Sequence, residues 1–538
     1  MGHKLPNRRH CGDARRKMAL LLPLMLVSLV ASSCASMPSN DHLSRSTAYN
    51  NTDNTPIGSA VMEAVAANNN QTGVLLLNTG LDAFGARVVL ATTAQRSLDV
   101  QYYLFHRDLS GRLLLDQLLK AADRGVRVRL LVDDMDMADR DLGVAMLDAH
   151  PNMEVRLFNP FVRDRSRLAQ LIYRFGSVTR RMHNKSFTAD NQMTIIGGRN
   201  IGDQYFGADP AAAFADMDVL LAGAAAKEVS QSFDLYWNNE LSYTVGSLGE
   251  PQPTELEIRQ ARERLKLWVE QQKGSVYLQS LENSSLARAI ESRSVNYQWA
   301  DVKIFYDQPD KISSSRERKD LNMSQYIAPY FEQAEREISI ISPYFVPGNA
   351  GTKKLCNLRQ RGVKVSILTN SLASTDVAVV HAGYLRYRKK LLQCGVELYE
   401  AKSDVVLRDI GSQQNPGDKD DKKSKLGQSR SSLHAKMFVF DRRYTFIGSL
   451  NLDPRSVVEN TEIGSVIDST KIGEEVASEL ARKIPGFAYK LSLDSNGDVV
   501  WRGRENGQAV SYNVEPHTSF WRRLSTQIMR YMPIESQI

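Results

Sequence analysis

Cysteine is scarce in this chain of 538 residues, which contains four in all. None of them has the close Cys or His spacing that binds zinc, so we expect no metal and no other cofactor. Cys11 and Cys34 lie near the N-terminus, which leaves Cys356 and Cys394 for the body of the protein. A disulfide between these two would require an oxidising compartment, and the sequence does not decide whether they pair.

Long apolar runs are also missing. The most apolar segment, residues 18–30, is shorter than the roughly 20 residues of a membrane-spanning helix, and Pro23 interrupts it. It follows a basic stretch and precedes the small residues 31–33 and then Cys34. That order is typical of a secretory signal. A cysteine at its end resembles a bacterial lipobox, in which the thiol is diacylated and becomes the mature N-terminus.

These features predict an exported protein that is anchored to a membrane. Residues 1–33 would be the signal peptide, Cys34 the lipid anchor, and the polar residues 35–57 a flexible tether. The alternatives are a plain signal peptide or an uncleaved anchor. By resemblance to enterobacterial lipoproteins, Ala35 after the cysteine favours the outer membrane over the inner one. We therefore expect a protein of the bacterial cell envelope that faces the periplasm.

Outside this N-terminal segment, basic and acidic residues are present in nearly equal numbers. The net charge is +7, and residues 1–33 carry six basic residues against the single Asp13. The rest of the chain is close to neutral, which argues against a broad nucleic-acid-binding surface. We therefore expect no nucleic-acid partner. The sequence does not predict the oligomeric state.

The clearest positive feature is an internal duplication. Residues 121–132 resemble residues 357–369, and each segment predicts the end of a helix, a glycine and a buried strand. Further strands are predicted in matching places of the two halves, at 97–105, 154–158, 338–346 and 395–399. This pattern predicts an α/β fold of two pseudo-symmetric lobes, each with a mixed, largely parallel sheet flanked by helices.

The duplication sets the expected domain boundaries. We place the N-terminal lobe at 58–243, a helical connector at 244–299 and the C-terminal lobe at 300–485. Residues 411–432 contain one large apolar residue and predict a surface loop, with or without a function as a lid. The remaining residues, 486–538, form a C-terminal extension.

The extension ends in a short amphipathic helix. Phe520, Leu524, Ile528 and Tyr531 share one face of it, and arginines flank that face. We expect this face to pack against the lobes. Docking on anionic lipid is the alternative.

Two segments, one in each lobe, match each other at equal internal spacing. Each contains a histidine, a lysine two residues later and an aspartate beyond it: His183, Lys185 and Asp190, and His434, Lys436 and Asp441. Each continues to a glycine-containing turn and an asparagine: Gly197, Gly198 and Asn200, and Gly448, Ser449 and Asn451. One such pattern arises readily by chance and would fit a structural histidine. Two copies in equivalent places of a duplication favour catalysis.

The residue types suit displacement at a phosphodiester. Imidazole, with an unperturbed pKa near 6.5, can attack phosphorus or protonate a leaving alcohol. One histidine would therefore form a covalent phosphohistidine while the other acts as acid and base. The lysines would neutralise the phosphate, helped by hydrogen bonds from Asn200, Ser449 and Asn451. No metal is needed for this chemistry.

Carboxylates complete the candidate site. Asp216 and Glu462 lie at comparable distances after their own histidines and would orient the imidazoles, although the sequence does not say which acid serves which histidine. Asp190 and Asp441 are candidate catalytic residues. Stabilisation of the turn that follows each strand is an equal alternative for them.

The whole pattern resembles the phospholipase D superfamily and, within it, bacterial cardiolipin synthases of the class C type. The similarity extends from Leu77 to Pro533 and includes residues 181–187, 197–203 and 452–456. It implies transfer of a phosphatidyl group to the glycerol of phosphatidylglycerol, giving cardiolipin. Phosphatidylglycerol or phosphatidylethanolamine would be the donor, so membrane phospholipids are the expected partners. The resemblance favours His183 as nucleophile.

Other functions remain open at this point. The same site with water as acceptor would hydrolyse phospholipid to phosphatidic acid, and the sequence barely separates that activity from transfer. A nuclease or other phosphodiesterase is disfavoured by the near-neutral body and the signal segment. A non-catalytic lipid-binding protein would not need a paired nucleophile and acid.

Overall fold

A computed structural model describes residues 37–40, 43–137, 140–163, 165–209, 212–249, 252–292, 294–403 and 430–532. Its α-helices are α1 Pro56–Ala67, α2 Gly80–Thr93, α3 Leu109–Asp123, α4 Asp141–Asp148, α5 Arg167–Tyr173, α6 Asp203–Phe206, α7 Ala224–Trp237, α8 Glu255–Gln272, α9 Val276–Glu282, α10 Ser285–Glu291, α11 Ser324–Gln333, α12 Gly348–Gln360, α13 Ala378–Gln393, α14 Thr470–Phe487 and α15 Phe520–Met529. Its strands are β1 Thr72–Leu77, β2 Ser97–Tyr102, β3 Arg127–Asp133, β4 Met153–Phe158, β5 Ser186–Ala189, β6 Met193–Gly197, β7 Ala212–Ala215, β8 Asp218–Ala222, β9 Ser242–Thr244, β10 Gln298–Tyr306, β11 Glu337–Ile341, β12 Lys364–Asn370, β13 Glu397–Ala401, β14 Arg430–Leu433, β15 Met437–Phe440, β16 Tyr444–Gly448, β17 Ile463–Asp468, β18 Ala488–Leu493, β19 Val499–Glu505 and β20 Gln508–Tyr512.

Each lobe is built on a mixed sheet. In the N-terminal lobe the strands lie side by side in the order β9, β4, β3, β2, β5, β6, β8 and β1. Among these eight strands, β2–β3 and β3–β4 pair in parallel and the other neighbours pair antiparallel. The α/β class is as predicted, but the sheet is less parallel than expected, because hairpins supply the strands that carry the motifs.

The C-terminal lobe repeats this order. Its strands run β20, β19, β18, β13, β12, β11, β15, β16, β17 and β10, with parallel pairing at β11–β12 and β12–β13. The extension beyond 485 therefore contains three strands in addition to the expected helix. Each of these strands contains exposed residues, as antiparallel strands with one solvated face do.

The two lobes are joined through their backbones. β1 pairs antiparallel with β10, so the two sheets are continuous. β7 of one lobe also pairs in parallel with β14 of the other. Met182 and Thr461 form an isolated bridge across the same boundary. These contacts hold the lobes in one orientation, which fixes the geometry of anything built between them.

Local sequence explains where the main helices begin. Thr79 and Asp108 cap α2 and α3 by accepting backbone N–H groups, and Thr254 with Glu257 forms a capping box on α8. α8, α9 and α10 occupy the segment expected to be a helical connector. Cys356 in α12 and Cys394 after α13 are joined by a disulfide, with their Cα atoms 5.4 Å apart.

Several sequence-based expectations fall outside the described residues. These are the signal peptide 1–33, the anchor Cys34, the start of the tether and most of the loop 411–432. Among the helices that are described, none combines the length and apolar character that crossing a bilayer requires.

Candidate active site

Both histidines lie at the boundary between the lobes, immediately before a central strand. The backbone N–H of His183 donates to the carbonyl of Thr461 over 2.9 Å. The N–H of His434 donates to the carbonyl of Ala215 over 2.8 Å. Each histidine is therefore tied by its backbone to the residue that precedes a candidate carboxylate of the other lobe.

The side chains of both histidines also reach across the boundary between the lobes. His183 Nδ1 lies 2.8 Å from Glu462 Oε2, and His434 Nδ1 lies 2.5 Å from Asp216 Oδ2. Because an ionised carboxylate only accepts hydrogen bonds, Nδ1–H is the donor in such a pair and Nε2 is left for chemistry. The sequence left the pairing open, and the structure pairs each histidine with the acid of the opposite lobe.

Both lysines project beside their histidines. Lys185 Nζ donates to the carbonyl of His183, and Lys436 Nζ donates to the carbonyl of His434. Lys436 Nζ also lies 2.9 Å from His434 Nδ1 and 3.2 Å from His434 Nε2. All four side chains are buried. A phosphate placed against Nε2 of either histidine would therefore meet a cationic group without first displacing much water.

Aromatic rings line the histidines. Tyr103 packs edge-on against His183, with ring centroids 5.1 Å apart. Tyr205 packs edge-on against His434 and Phe214 stacks on it, at 5.2 and 5.1 Å. These rings exclude water from the imidazoles, which strengthens the electrostatic interactions in the site. Tyr205 and Phe214 carry no motif and would be found only from the three-dimensional arrangement.

Burial is the main cause of the pKa shifts in the first pair, His183 and Glu462. Burial, together with the positive charges of Lys185 and Lys436, holds the pKa of His183 well below 6.5. Burial also raises the pKa of Glu462 to about 7, although Lys185 and the hydroxyl of Ser449 oppose this rise. His183 is therefore neutral at neutral pH, as a nucleophile must be.

A different balance of burial and charge sets the pKa values of the second pair, His434 and Asp216. Burial and Lys436 lower the pKa of His434, while Asp216 opposes the fall. Burial would raise the pKa of Asp216, but the charges of His434 and Lys436 hold it below its usual range. Asp216 is thus fully ionised where Glu462 is partly protonated, so a proton is better stabilised on His434 than on His183.

The lysines titrate close to neutrality. Burial lowers the pKa of Lys185 to about 7 and that of Lys436 to about 8, against the opposing charges of Glu462 and Asp216. An anionic phosphate in the site would favour their charged forms. The site is therefore built to receive one negative group and lacks full compensation without it.

The expected phosphate-binding residues already have protein partners. The Asn200 side chain donates to Tyr205 and accepts the N–H of Leu104. Ser449 Oγ donates to Glu462 Oε2, so its only hydroxyl proton is committed to positioning that carboxylate. Asn451 Nδ2 makes a long bond of 3.4 Å to Ser456. Direct contact of these three with a phosphate stays a prediction.

Asp190 and Asp441 are placed away from the histidines, at the far ends of β5 and β15. The Asp190 carboxylate accepts the N–H groups of residues 95–97, and that of Asp441 accepts those of residues 335–337, all within 3.2 Å. Both residues have positive φ, at 50° and 52°. These contacts fix the loops that enter β2 and β11, so we propose a structural role for both residues in place of the catalytic role suggested by the motif.

One residue beyond the motifs positions Glu462 in turn. The Asp307 carboxylate accepts the N–H of Glu462 over 2.8 Å and is itself held by Lys311 Nζ at 2.9 Å. Asp307 follows β10, whose sequence gives no sign of such a function. It was missed because its role depends on the β10–β17 pairing, which is a long-range contact.

Potential metal ligands gather elsewhere in the described chain. His381, Glu400 and Glu515 lie close together and are buried. Arg388 Nη1 already lies 3.1 Å from Glu400 and 2.7 Å from Glu515. A guanidinium between the two carboxylates supplies the positive charge that a metal would bring, so this cluster clamps the C-terminal extension to α13.

Comparisons with known proteins agree with this geometry. The family model described as cardiolipin synthase, phospholipase D-like domain, matches residues 89–237 and 327–484. Cardiolipin synthase C of Escherichia coli strain K12 is 40% identical over 486 residues, covering 89% of this chain and 99% of that protein. An uncharacterized protein of Helicobacter pylori strain 26695 is 32% identical over 89% of this chain and 92% of its own length.

A solved structure shares the fold. The phosphatidylserine synthase of Haemophilus influenzae Rd KW20 superposes with a TM-score of 0.55 at 14% identity, covering 89% of this chain and all of that one. Both matched segments of the family model contain one His-x-Lys motif, and the two motifs meet in the single site described above. The chain belongs to the cardiolipin synthase family with phospholipase D-like domains.

Proposed function

We propose that this protein transfers phosphatidyl groups between membrane phospholipids through a phosphohistidine and makes cardiolipin. The observation that carries the proposal is the pair of histidines in one buried site, each held by a carboxylate of the opposite lobe. Phosphatidylglycerol is the acceptor, and phosphatidylglycerol or phosphatidylethanolamine is the donor. The similarity to cardiolipin synthase C supports this choice of lipids.

In the first half-reaction, neutral His183 is the nucleophile. Its Nε2 attacks the phosphorus of the donor, and the bond from phosphorus to the headgroup oxygen breaks. His434 gives its proton to that oxygen, so the headgroup leaves as the free alcohol, glycerol or ethanolamine. Lys185 and Lys436 lie beside the two histidines and stabilise the charge on the non-bridging oxygens.

The second half-reaction reverses these roles. His434, now neutral, takes the proton from a glycerol hydroxyl of phosphatidylglycerol. That oxygen attacks the phosphorus, the bond to His183 breaks, and cardiolipin is formed. The protons balance, because His434 is protonated again at the end of the cycle. With water in place of the glycerol hydroxyl, the same steps yield phosphatidic acid, which is the alternative activity.

We also propose a periplasm-facing, membrane-associated location. The disulfide between Cys356 and Cys394 supports an oxidising compartment, since such bonds are rare in a reducing cytosol. Acylation of Cys34 and the choice of outer over inner membrane belong to the same proposal. Incorporation of labelled palmitate into the full chain, and its loss in Cys34→Ser, would test the anchor.

Product analysis tests the function. The purified full chain is given isotope-labelled phosphatidylglycerol, with and without phosphatidylethanolamine, and the lipids are identified by mass spectrometry. Cardiolipin as main product is expected, absent with His183→Ala and retained with His150→Ala, a histidine outside the site. Phosphatidic acid alone would make the protein a hydrolase. Cleavage of bis-p-nitrophenyl phosphate without any lipid product would overturn the substrate.

A second experiment assigns the two histidines. A phosphatidyl ester of p-nitrophenol has a leaving group that needs no acid. His434→Ala should therefore release about one equivalent of nitrophenol in a burst and keep the phosphatidyl group on the protein, because the base for the second step is missing. His183→Ala should release none. A burst from His183→Ala instead would exchange the assigned roles.

A further inference from the structure

Two short helices with exposed apolar faces, α5 of the N-terminal lobe and α15 of the C-terminal extension, contact corresponding loops of the two lobes. In α15, Trp521 is 74% exposed and Ile528 is 60% exposed. In and after α5, Ile172 is 75% exposed and Phe175 is 57% exposed. The face of α15 was expected to pack against the lobes, and this expectation was wrong. The buried side of α15 is centred on Thr526, which leaves the aromatic and aliphatic residues outside.

Both helices are attached to the rim of the active site. Arg522 of α15 donates to the carbonyl of Thr375, in the loop that follows β12. The next residue, Asp376, binds the hydroxyl of Tyr344 and is one of the charges that act on His434. α15 is therefore fixed beside the C-terminal half of the site.

The attachment of α5 is equivalent. Arg167 of α5 donates to the carbonyl of Asp134, in the loop that follows β3. The preceding Asp133 accepts the N–H of Met182, next to His183. β3 and β12 are the central parallel strands of their lobes, so both helices lie at the carboxyl ends of equivalent strands, one on each side of the site.

The segments that carry the two helices contain charge of one sign, although Arg167 pairs with Asp134 of the neighbouring loop. Residues 516–532 contain three arginines and neither Asp nor Glu. Residues 165–178 also contain three arginines and no acidic residue. Exposed Trp, Tyr, Phe and Ile beside arginine suit the interface of an anionic bilayer, where apolar groups enter the acyl boundary and cations meet phosphate.

We propose that α5 and α15 together form a membrane-binding surface that seats the active site on a bilayer containing anionic phospholipid. The inference rests on the proposed function, because that function places the reacting phosphate in the headgroup layer. Two attachment points on opposite sides of the site would hold its opening against that layer. A bilayer lipid could then present its headgroup to His183 and His434 without leaving the membrane.

The test uses the full chain reconstituted into vesicles of phosphatidylethanolamine and phosphatidylglycerol. Tryptophan fluorescence is measured with quenchers attached to the acyl chains near the headgroups, and Trp521→Phe identifies the contribution of Trp521. Quenching of Trp521 by these lipids is expected, and it should weaken in vesicles of neutral phosphatidylcholine. A Trp521 signal that acyl-chain quenchers leave unchanged would overturn the proposal.

Turnover provides the second readout. The double variants Phe520→Ser with Ile528→Ser, and Ile172→Ser with Phe175→Ser, should each lower turnover of vesicle lipid by about tenfold, since each removes apolar area that binding would bury. The matched controls Leu235→Ser and Leu256→Ser replace exposed leucines on α7 and α8. These controls should retain vesicle turnover.

A soluble substrate separates this inference from the proposed function. Short-chain phosphatidylglycerol, kept below its micellar concentration, needs no membrane contact, so both double variants should turn it over within twofold of the wild type. Equal loss on soluble and vesicle lipid would mean damage to the site and would overturn the inference. Failure of the proposed function would instead appear as no lipid turnover by the wild type, while the quenching of Trp521 would still report on the surface.

Discussion

At the scale of single residues, the two halves of the site differ in a way that the duplication does not predict. Gly198 of the first motif occupies the place of Ser449 in the second. A Cβ atom at residue 198 would lie 2.1 Å from Asp216 Oδ1, so only glycine leaves room for that carboxylate. Ser449 instead donates to Glu462. Gly198 therefore leaves space for Asp216, whereas Ser449 forms a hydrogen bond with Glu462.

This difference predicts unequal effects of alanine. Gly198→Ala should push Asp216 away from His434 and reduce kcat by on the order of a hundredfold, as loss of a group orienting a catalytic base does. Ser449→Ala should reduce it by less than about tenfold, because it removes one hydrogen bond without a clash. Steady-state kinetics on short-chain phosphatidylglycerol provides the measurement, with circular dichroism to exclude misfolding. Equal effects of the two substitutions would contradict this account.

The titration of the site predicts an acid pH optimum. In the proposed mechanism His434 must be protonated, yet burial and Lys436 lower its pKa below 6.5. Lys185 and Lys436 lose their protons with pKa values of about 7 and 8. All three losses reduce kcat/KM as pH rises, whereas His183 stays neutral to well below pH 6.5. The rate should therefore peak below neutral pH and decline more steeply between about pH 7 and 8.

Replacing one lysine tests the origin of that decline. Arginine stays protonated throughout, so Lys185→Arg should make the fall in kcat/KM above about pH 7 shallower, even if its maximum is lower. Arginine keeps the positive charge that lowers the pKa of His183, so His183 should stay neutral over the same pH range. A decline as steep as that of the wild type would show that the charge of Lys185 is not needed.

At the scale of elements, the duplicated strands were predictable and their partners were not. β2 is buried along its whole length and β11 along most of it, and the repeated pattern of apolar residues in these two segments identifies both strands from sequence alone. β18 to β20 lack this signal because one face of each meets solvent. The helix α15 was predicted as amphipathic, but periodicity does not say whether an apolar face meets protein or solvent.

The residues of the site also divide into those that the sequence predicts and those that it does not. The histidines and lysines could be chosen from sequence because their spacing is repeated. The pairing of His183 with Glu462 and of His434 with Asp216 could not, because it depends on how two lobes, far apart along the chain, are joined. The aspartates of the motifs were the least certain, since one residue type suits both catalysis and a turn.

The assignment of Asp441 predicts an effect on stability. Its carboxylate receives three backbone N–H groups at the entry to β11, so Asp441→Asn should lower the free energy of unfolding by about 1–3 kcal/mol. Turnover by the folded protein should change by less than about threefold, because the residue lies away from the histidines. Denaturant unfolding and kcat are measured on the same preparation. Asp468→Asn is the matched control with a small effect, because this partly exposed β17 carboxylate pairs with Arg443 of the turn that also contains Asp441.

Loss of activity without loss of stability in Asp441→Asn would reverse this assignment and return the residue to the catalytic set. The equivalent substitution Asp190→Asn should behave in the same way, because its carboxylate holds the corresponding loop before β2. Agreement between the two variants would show that the duplication extends to the function of its turns.

At the scale of the whole molecule, the site exists only because the lobes are joined. β1 pairs with β10, β7 pairs with β14, and Arg180 of one lobe binds Glu459 of the other over 2.9 Å. The pairs His183–Glu462 and His434–Asp216 cross the same boundary. Neither lobe by itself contains both members of either pair, so the proposed function would require the lobes to remain docked.

This continuity predicts that the lobes unfold together. Chains of this size usually divide into domains that melt separately. Here, unfolding one lobe would expose the edge of β1 or β10 and leave either Glu462 or Asp216 without its histidine, which costs free energy in the lobe that remains. Calorimetry of the full chain should therefore show a single transition with equal calorimetric and van 't Hoff enthalpies. His434→Ala removes one crossing pair and should lower that transition while keeping it single. Two resolved transitions in the wild type would mean that the boundary is held more weakly than these contacts imply.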